Sequence, residues 1–172
     1  MLEKEIATQP RIRQDMIDVP NWIGDVFNQY LICEFTTISH GKPITFPLLF
    51  FYDPQTGVFT VTSSILFSKK VDHLRRNSKV SLLLSNSTGS GIGKHVILVQ
   101  GIARFEDSDL DHGWERFLPY WRKKEPYIDG FLSEREKFSW FWKRIVVQVE
   151  PTKITAWKDA NLEKPPEVFK TR

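Results

Sequence analysis

The stretch 44–52 is apolar on both of its faces: Ile44, Phe46, Leu48 and Phe50 alternate with positions that include Leu49 and Phe51. Successive side chains of an extended chain point to opposite sides. Such a strand cannot lie on a sheet with one wet side, and it needs cover from a partner or a ligand.

The surrounding sequence supplies an antiparallel meander. Residues 31–39 read as a strand, His40-Gly41-Lys42 as its turn and 44–52 as the returning strand; Asp53-Pro54-Gln55-Thr56-Gly57 then turns into a strand over 58–62. Helical spacing follows at 68–77, with Val71 and Leu74 on one face and His73 read as a surface residue. Strands at 80–84 and 96–105 are joined by the Gly-rich connector 86–93, and 144–149 with 153–157 reads as a closing hairpin around Pro151. Six strands with one helix between the third and fourth favour a small closed barrel, because closure removes the edges that such apolar strands would expose. Outside the barrel, helices are expected at 21–28, 109–124 and 133–138, and an extended tail from Lys158 through Pro165-Pro166. The expected organisation is one domain over 1–172: an N-terminal helical segment (1–30), the barrel (31–157) and the tail (158–172).

With 41% apolar and 26% charged residues, a chain of 172 residues can bury a core without staples. The one cysteine, Cys33, cannot form an internal disulfide and reads as a small core residue in a reducing compartment. The N-terminus lacks a secretory pattern, and no run approaches the ~20 apolar residues needed to cross a bilayer. A cytoplasmic protein without a membrane partner is expected. The net charge of +3 is spread among acidic residues, which argues against a nucleic-acid partner.

The chemistry concentrates at Thr60-Val61-Thr62-Ser63-Ser64 followed by Ser68-Lys69-Lys70. A helix N-terminus carries about half a positive charge, so two lysines there oppose local electrostatics by a few tenths of a kcal/mol or more. An anion held by backbone N–H groups, the Ser68 and Thr62 hydroxyls and the two ammonium groups would compensate, and a phosphate monoester is the natural guest. The other reading is that Ser68 caps the helix and both lysines point into water.

The order of these motifs, from Gly41-Lys42-Pro43 through Gly57-Val58-Phe59-Thr60-Val61-Thr62, Ser68-Lys69-Lys70, Val99-Gln100-Gly101-Ile102-Ala103 and Val149-Glu150-Pro151 to Trp157, resembles the pyridoxamine 5'-phosphate oxidase-like split-barrel family. The resemblance implies a six-stranded antiparallel split β-barrel that works as a homodimer with FMN between the subunits. It implies Thr62, Ser63, Ser68, Lys69 and Lys70 around the FMN phosphate, Phe46, Pro47 and Leu48 along the ring, and Trp157 approaching from the partner chain. Trp157 also reads as an ordinary packed aromatic at a strand end. Lys69 stands where arginine is common, losing the bidentate fork but keeping the charge. Thr45 and Phe50 occupy positions where the oxidase has Arg and Lys, and Lys158-Asp159-Ala160-Asn161-Leu162 lacks its Arg-x-His-x-Arg motif. An oxidoreductase acting on a small, more apolar organic substrate is therefore expected in place of pyridoxamine phosphate oxidation. The alternatives are the same fold holding a deazaflavin coenzyme or haem, and a flavin-binding protein without turnover.

Four histidines, His40, His73, His95 and His112, show no metal-ligand spacing. Gly89-x-Gly91-x-Gly93 joins two strands and opens no helix, so it is no dinucleotide fingerprint. The aromatic and basic residues between Trp114 and Lys143 could imitate a base-stacking platform, but core and dimer packing is the expected role. Hydride transfer to a flavin needs no side-chain acid or base, and no catalytic residue or metal ligand is assigned.

Overall fold

A computed structural model describes residues 16–67, 69–85 and 93–171. Ser68, connector residues 86–92 and the segment before Met16 lie outside the described residues. The described chain is mainly β, and its first six strands close into an antiparallel barrel in the order β3-β2-β1-β4-β5-β6, with β6 pairing back onto β3.

Local chemistry sets the first hairpins. β1 (Ile32–Ser39) buries Cys33, Phe35 and Thr37 and leaves the alternate positions half-buried. It turns into β2 (Lys42–Asp53) through His40 and Gly41, both at positive φ (48° and 76°), the two-residue geometry whose twist matches the flanking strands. At the far end of β2 the Asp53 carboxylate accepts hydrogen bonds from Gln55 N (2.9 Å) and Thr56 Oγ1 (2.7 Å), and Gly57 at φ 72° leads into β3 (Val58–Ser64).

The cover that β2 requires is supplied along half of its length. Phe50 and Tyr52 point into the barrel against Phe59, with Phe27 of helix α1 (Asn21–Gln29) beside them. Phe51 and Leu49 point outward into a second apolar cluster of Trp114, Trp121, Ile128, Trp142 and Val146. That cluster is carried by the excursion between β5 (Val96–Glu106) and β6 (Arg144–Trp157), which holds helices α3 (Leu118–Lys124), α4 (Ile128–Ser133) and α5 (Ser139–Trp142). The first half of β2, from Lys42 to Leu48, stays exposed or half-buried.

Five expectations need correction. The segment around Pro151 is no hairpin: β6 runs through it as one strand of 14 residues that pairs with β5 on both sides of Pro151, from Val146 to Trp157, with a register shift beside Gln100/Gly101. The bulge absorbs the missing proline N–H, which a regular ladder could not. The tail is not merely extended, since β7 (Glu167–Lys170) adds to β6 as a seventh strand. Ser133 ends α4 and residues 134–138 form turns, with α5 following, and only 118–124 of the 109–124 stretch is α-helical. His73 is no surface residue; on helix α2 (Lys69–Arg76) it is buried, with Nδ1 2.8 Å from Thr37 Oγ1 inside the barrel end.

Two positions carry tests of this packing. A Cβ on Gly101 would stand 2.4 Å from the Glu150 carbonyl oxygen, closer than atoms can approach. Gly101→Ala is expected to cost about 2 kcal/mol or more, lowering the melting temperature by about 4–8 °C in a scanning calorimeter. Lys124 donates from Nζ to the carbonyls of Phe27 (3.0 Å) and Tyr30 (2.8 Å) at the end of α1 and sits 3.6 Å over the Phe50 ring. Burial, opposed by Cys33 and assisted by Lys123, pushes its ammonium down to about 7. Between that value and the ordinary lysine range the unfolded chain binds more protons than the folded one, so stability should rise with pH there and fall as pH drops towards 7. Denaturant melts of the native chain and of Lys124→Met should diverge in favour of the native chain from pH 7 to pH 9; a constant difference would contradict the assignment.

Candidate functional site

The end of β3, the start of α2 and the start of β6 meet at one corner. Antiparallel pairing sets Thr62 against Val146 and Ser64 against Arg144, so the first residue of β6 lies beside the last residues of β3. Thr62, Ser63, Ser64, Lys70 and Arg144 are all buried. Adjacent residues on an α-helix point about 100° apart, and α2 uses this: Lys70 turns inward with Val71 and Leu74, while Lys69 is exposed.

The Lys70 ammonium lies 4.3 Å over the Phe46 ring. Arg144 donates from Nε to Thr62 Oγ1 (3.1 Å), from Nη2 to Thr62 O (3.3 Å) and from Nη1 to Phe141 O (3.4 Å). Its guanidinium is stacked 4.8 Å from Phe141 and 5.1 Å from Trp121. Among the described residues these acceptors of Arg144 are neutral oxygens. Burial pushes the guanidinium down to about 10. Lys70 is lowered too, chiefly by burial and then by the charge of Arg144. The charge of Arg144, seated on the Thr62 hydroxyl, thus acts on a second buried cation, Lys70. Because Thr62 Oγ1 already accepts from Arg144, its own proton is available to a further oxygen. An anion brought here would meet two positive charges and at least one hydroxyl donor in a low-dielectric setting, where charge-assisted bonds are strong.

The structure brings Phe46, Thr62 and Lys70 to this end of the barrel, with Leu48 on the same face of β2 as Phe46 and Pro47 on the opposite one; Ser63, next to Thr62 on β3, points to the other face of the sheet, and its hydroxyl donates to Ser64 O (3.5 Å). It leaves Lys69 outside in solvent, and Ser68 is not among the described residues. Trp157 lies at the other end of β6, thirteen residues from Arg144, a separation of roughly 40 Å along a strand rising about 3.3 Å per residue. It cannot reach the corner of its own chain. Arg144 is the residue that sequence reasoning passed over as a plain strand start; the one signal was the basic pair Lys143-Arg144 opening the run Ile145-Val146-Val147.

Beyond Phe141 the excursion forms an open groove of about 860 Å³ lined almost wholly by aromatic side chains. Trp114, Trp121 and Trp142 are core residues, as expected of this segment, but Tyr127, Phe131, Phe138 and Trp140 stand exposed around the groove. No group of three His, Cys, Asp or Glu side chains able to hold a metal occurs among the described residues, and no described helix is long and apolar enough to cross a membrane.

Solved structures provide the comparison. General Stress Protein 26 from Bacillus anthracis str. Sterne superposes with a TM-score of 0.56 at 19% identity, over 87% of this chain and 96% of that one. A pyridoxamine 5'-phosphate oxidase-related, FMN binding protein from Nostoc punctiforme gives 0.59 at 12% identity, over 88% and 89%. An FAD-binding protein from Mesorhizobium loti gives 0.55 at 17%, over 81% and 93%. The chain has the split-barrel fold. No protein-family model and no curated protein matches its sequence.

The geometry of the corner makes a direct test available without any cofactor. Inorganic phosphate at ten times its dissociation constant should stabilise the chain by about 1.4 kcal/mol, raising the melting point by about 3–6 °C. Sodium chloride at matched ionic strength should not, and Arg144→Met should remove the difference in differential scanning fluorimetry.

Proposed function

We propose that this chain is a flavoprotein oxidoreductase that anchors the phosphate of FMN between Thr62, Lys70 and Arg144 and passes electrons to a small organic substrate. The observation that carries this reading is the pair of buried cations at one end of the barrel, Arg144 on the Thr62 hydroxyl and Lys70 over the Phe46 ring, beside the uncovered half of an apolar strand. The donor set suits a phosphate monoester: the charges are positive, the Thr62 hydroxyl lies beside Arg144, and Arg144 is held by three bonds. The flavin supplies the redox chemistry; the chain supplies anchorage, a flat apolar surface at Phe46, Pro47 and Leu48, and shielding from water. Exposed Lys69 contributes long-range attraction only, which salt screens.

The same reading makes the protein a homodimer. On the outer sheet face a row of opposed residues, Pro47, Glu34, Leu83 and Leu98, is half-buried or exposed, and Glu34 Oε2 within it is buried without a hydrogen-bond partner. A second copy packed there would cover the apolar row, could supply the donor that the carboxylate lacks, and would carry its own Trp157 towards the site. The occurrence of the same architecture in an FMN binding protein and an FAD-binding protein supports the cofactor class.

Mass spectrometry of the small molecule released on denaturing the purified protein tests the cofactor class, with a flavin nucleotide, FMN or a larger molecule containing it, expected; a deazaflavin or haem would overturn it. Removing one charge-assisted contact should cost about 1.5–3 kcal/mol, a ten- to 150-fold loss of affinity. Lys70→Met is expected to show that loss in FMN titrations, whereas Lys69→Ala should stay within about three-fold. Equal effects of the two substitutions would refute the assignment of Lys70.

A further inference from the structure

The groove of the β5–β6 excursion adjoins the cationic corner through shared residues. The Phe141 ring that packs 4.8 Å from the Arg144 guanidinium also lines the groove. The main chain of the same short helix is tied to the corner: Trp140 O accepts from Ser64 Oγ (3.1 Å), and Phe141 O accepts from Arg144 Nη1 (3.4 Å). A ligand whose phosphate rests at Arg144 therefore has an aromatic trough about one side chain away. We propose that this groove receives the adenine of flavin adenine dinucleotide, so that the dinucleotide is the preferred cofactor and FMN fills only the inner part of the site. The inference rests on the flavin reading above and extends it.

Three features select this occupant. The groove's volume of about 860 Å³ lies in the range of small-molecule sites, roughly 300–1,000 Å³. Its nine lining residues are few beside the roughly 20–30 per side of a stable protein interface. Its walls offer Tyr127, Phe131, Phe138, Trp140 and Phe141 to a flat ring, and its one charged lining residue is Glu134. A carboxylate there can accept from the exocyclic amine of adenine and repels phosphate, which keeps the pyrophosphate at the cationic end. The charge pattern thus orders an elongated ligand: phosphates at Lys70 and Arg144, neutral amine-bearing ring at the groove.

Phe131 and Phe138 are 63% and 51% exposed, so their truncation should leave the fold intact. Calorimetric titration of the cofactor-free chain with FAD and with FMN is expected to show FAD binding at least about ten-fold tighter, with loss of each ring reducing that advantage about three- to ten-fold. In Phe131→Ala with Phe138→Ala the two affinities should converge while FMN binding stays unchanged. FMN binding without any preference for FAD, or a preference that survives the double substitution, would overturn this inference and leave the flavin reading standing. Failure of the native chain to bind either flavin would bring down the reading beneath it. A drop in molecular mass of the double variant by light scattering would assign the groove to a second copy of the chain and likewise overturn the adenine assignment.

Discussion

The pairing of β3 with β6 closes the barrel and, in the same register, sets Arg144 against Ser64 and beside Thr62. Everything at the corner follows from that pairing. Thr62 can hold Arg144 because its side chain and its carbonyl both lie within reach of one guanidinium. The excursion leaves β5 at Glu106 and must return to the same place, so Trp121 and Phe141 are delivered onto the two faces of that arginine. A shift of one residue in the β3–β6 ladder would send Arg144 to the other face of the sheet, and the corner would lose its second cation.

The fold was largely legible because β2 admits few solutions. A strand apolar on both sides needs two layers of cover, and a closed barrel provides the inner one. What the pattern could not reveal was that the outer layer over Phe51 and Leu49 comes from the chain's own tryptophans. Those residues are remote in sequence, and their helices are short turns whose shape depends on the sheet they cover. The continuation of β6 through Pro151 was illegible for a related reason. Proline reads as a strand breaker, and only the close approach of Gly101 to Glu150 shows that a bulge has absorbed it.

The corner was half legible. Two lysines opening a helix signalled an anion, but helical geometry lets only one of them face inward, and nothing local decided which. The structure resolves this in favour of Lys70, whose neighbours Val71 and Leu74 lie on the buried face. His73 misled for the mirror-image reason: a polar residue at a helical position reads as surface until its partner, Thr37 on a distant strand, is in view. Arg144 was hidden because a basic pair, Lys143-Arg144, at a strand start is ordinary, and the burial of its second member arises only from long-range pairing.

Depressed basicity alone does not single out the corner, since Lys124 is pushed down to about 7. The partners separate the two cases. Lys124 meets the carbonyls of Phe27 and Tyr30, which bear the negative end of the α1 dipole, so its surroundings already supply partial negative charge and its role is to fasten a helix end. Arg144 has a hydroxyl and two carbonyls, but it also has Lys70 as a neighbouring positive charge, and like charges in a low-dielectric setting raise the cost of each other's burial. A fold that keeps such a pair together forgoes stability at that corner, and a bound anion would recover it. The same anion would also relieve the repulsion between the two charges, so affinity for phosphate at this corner should fall when either cation is removed.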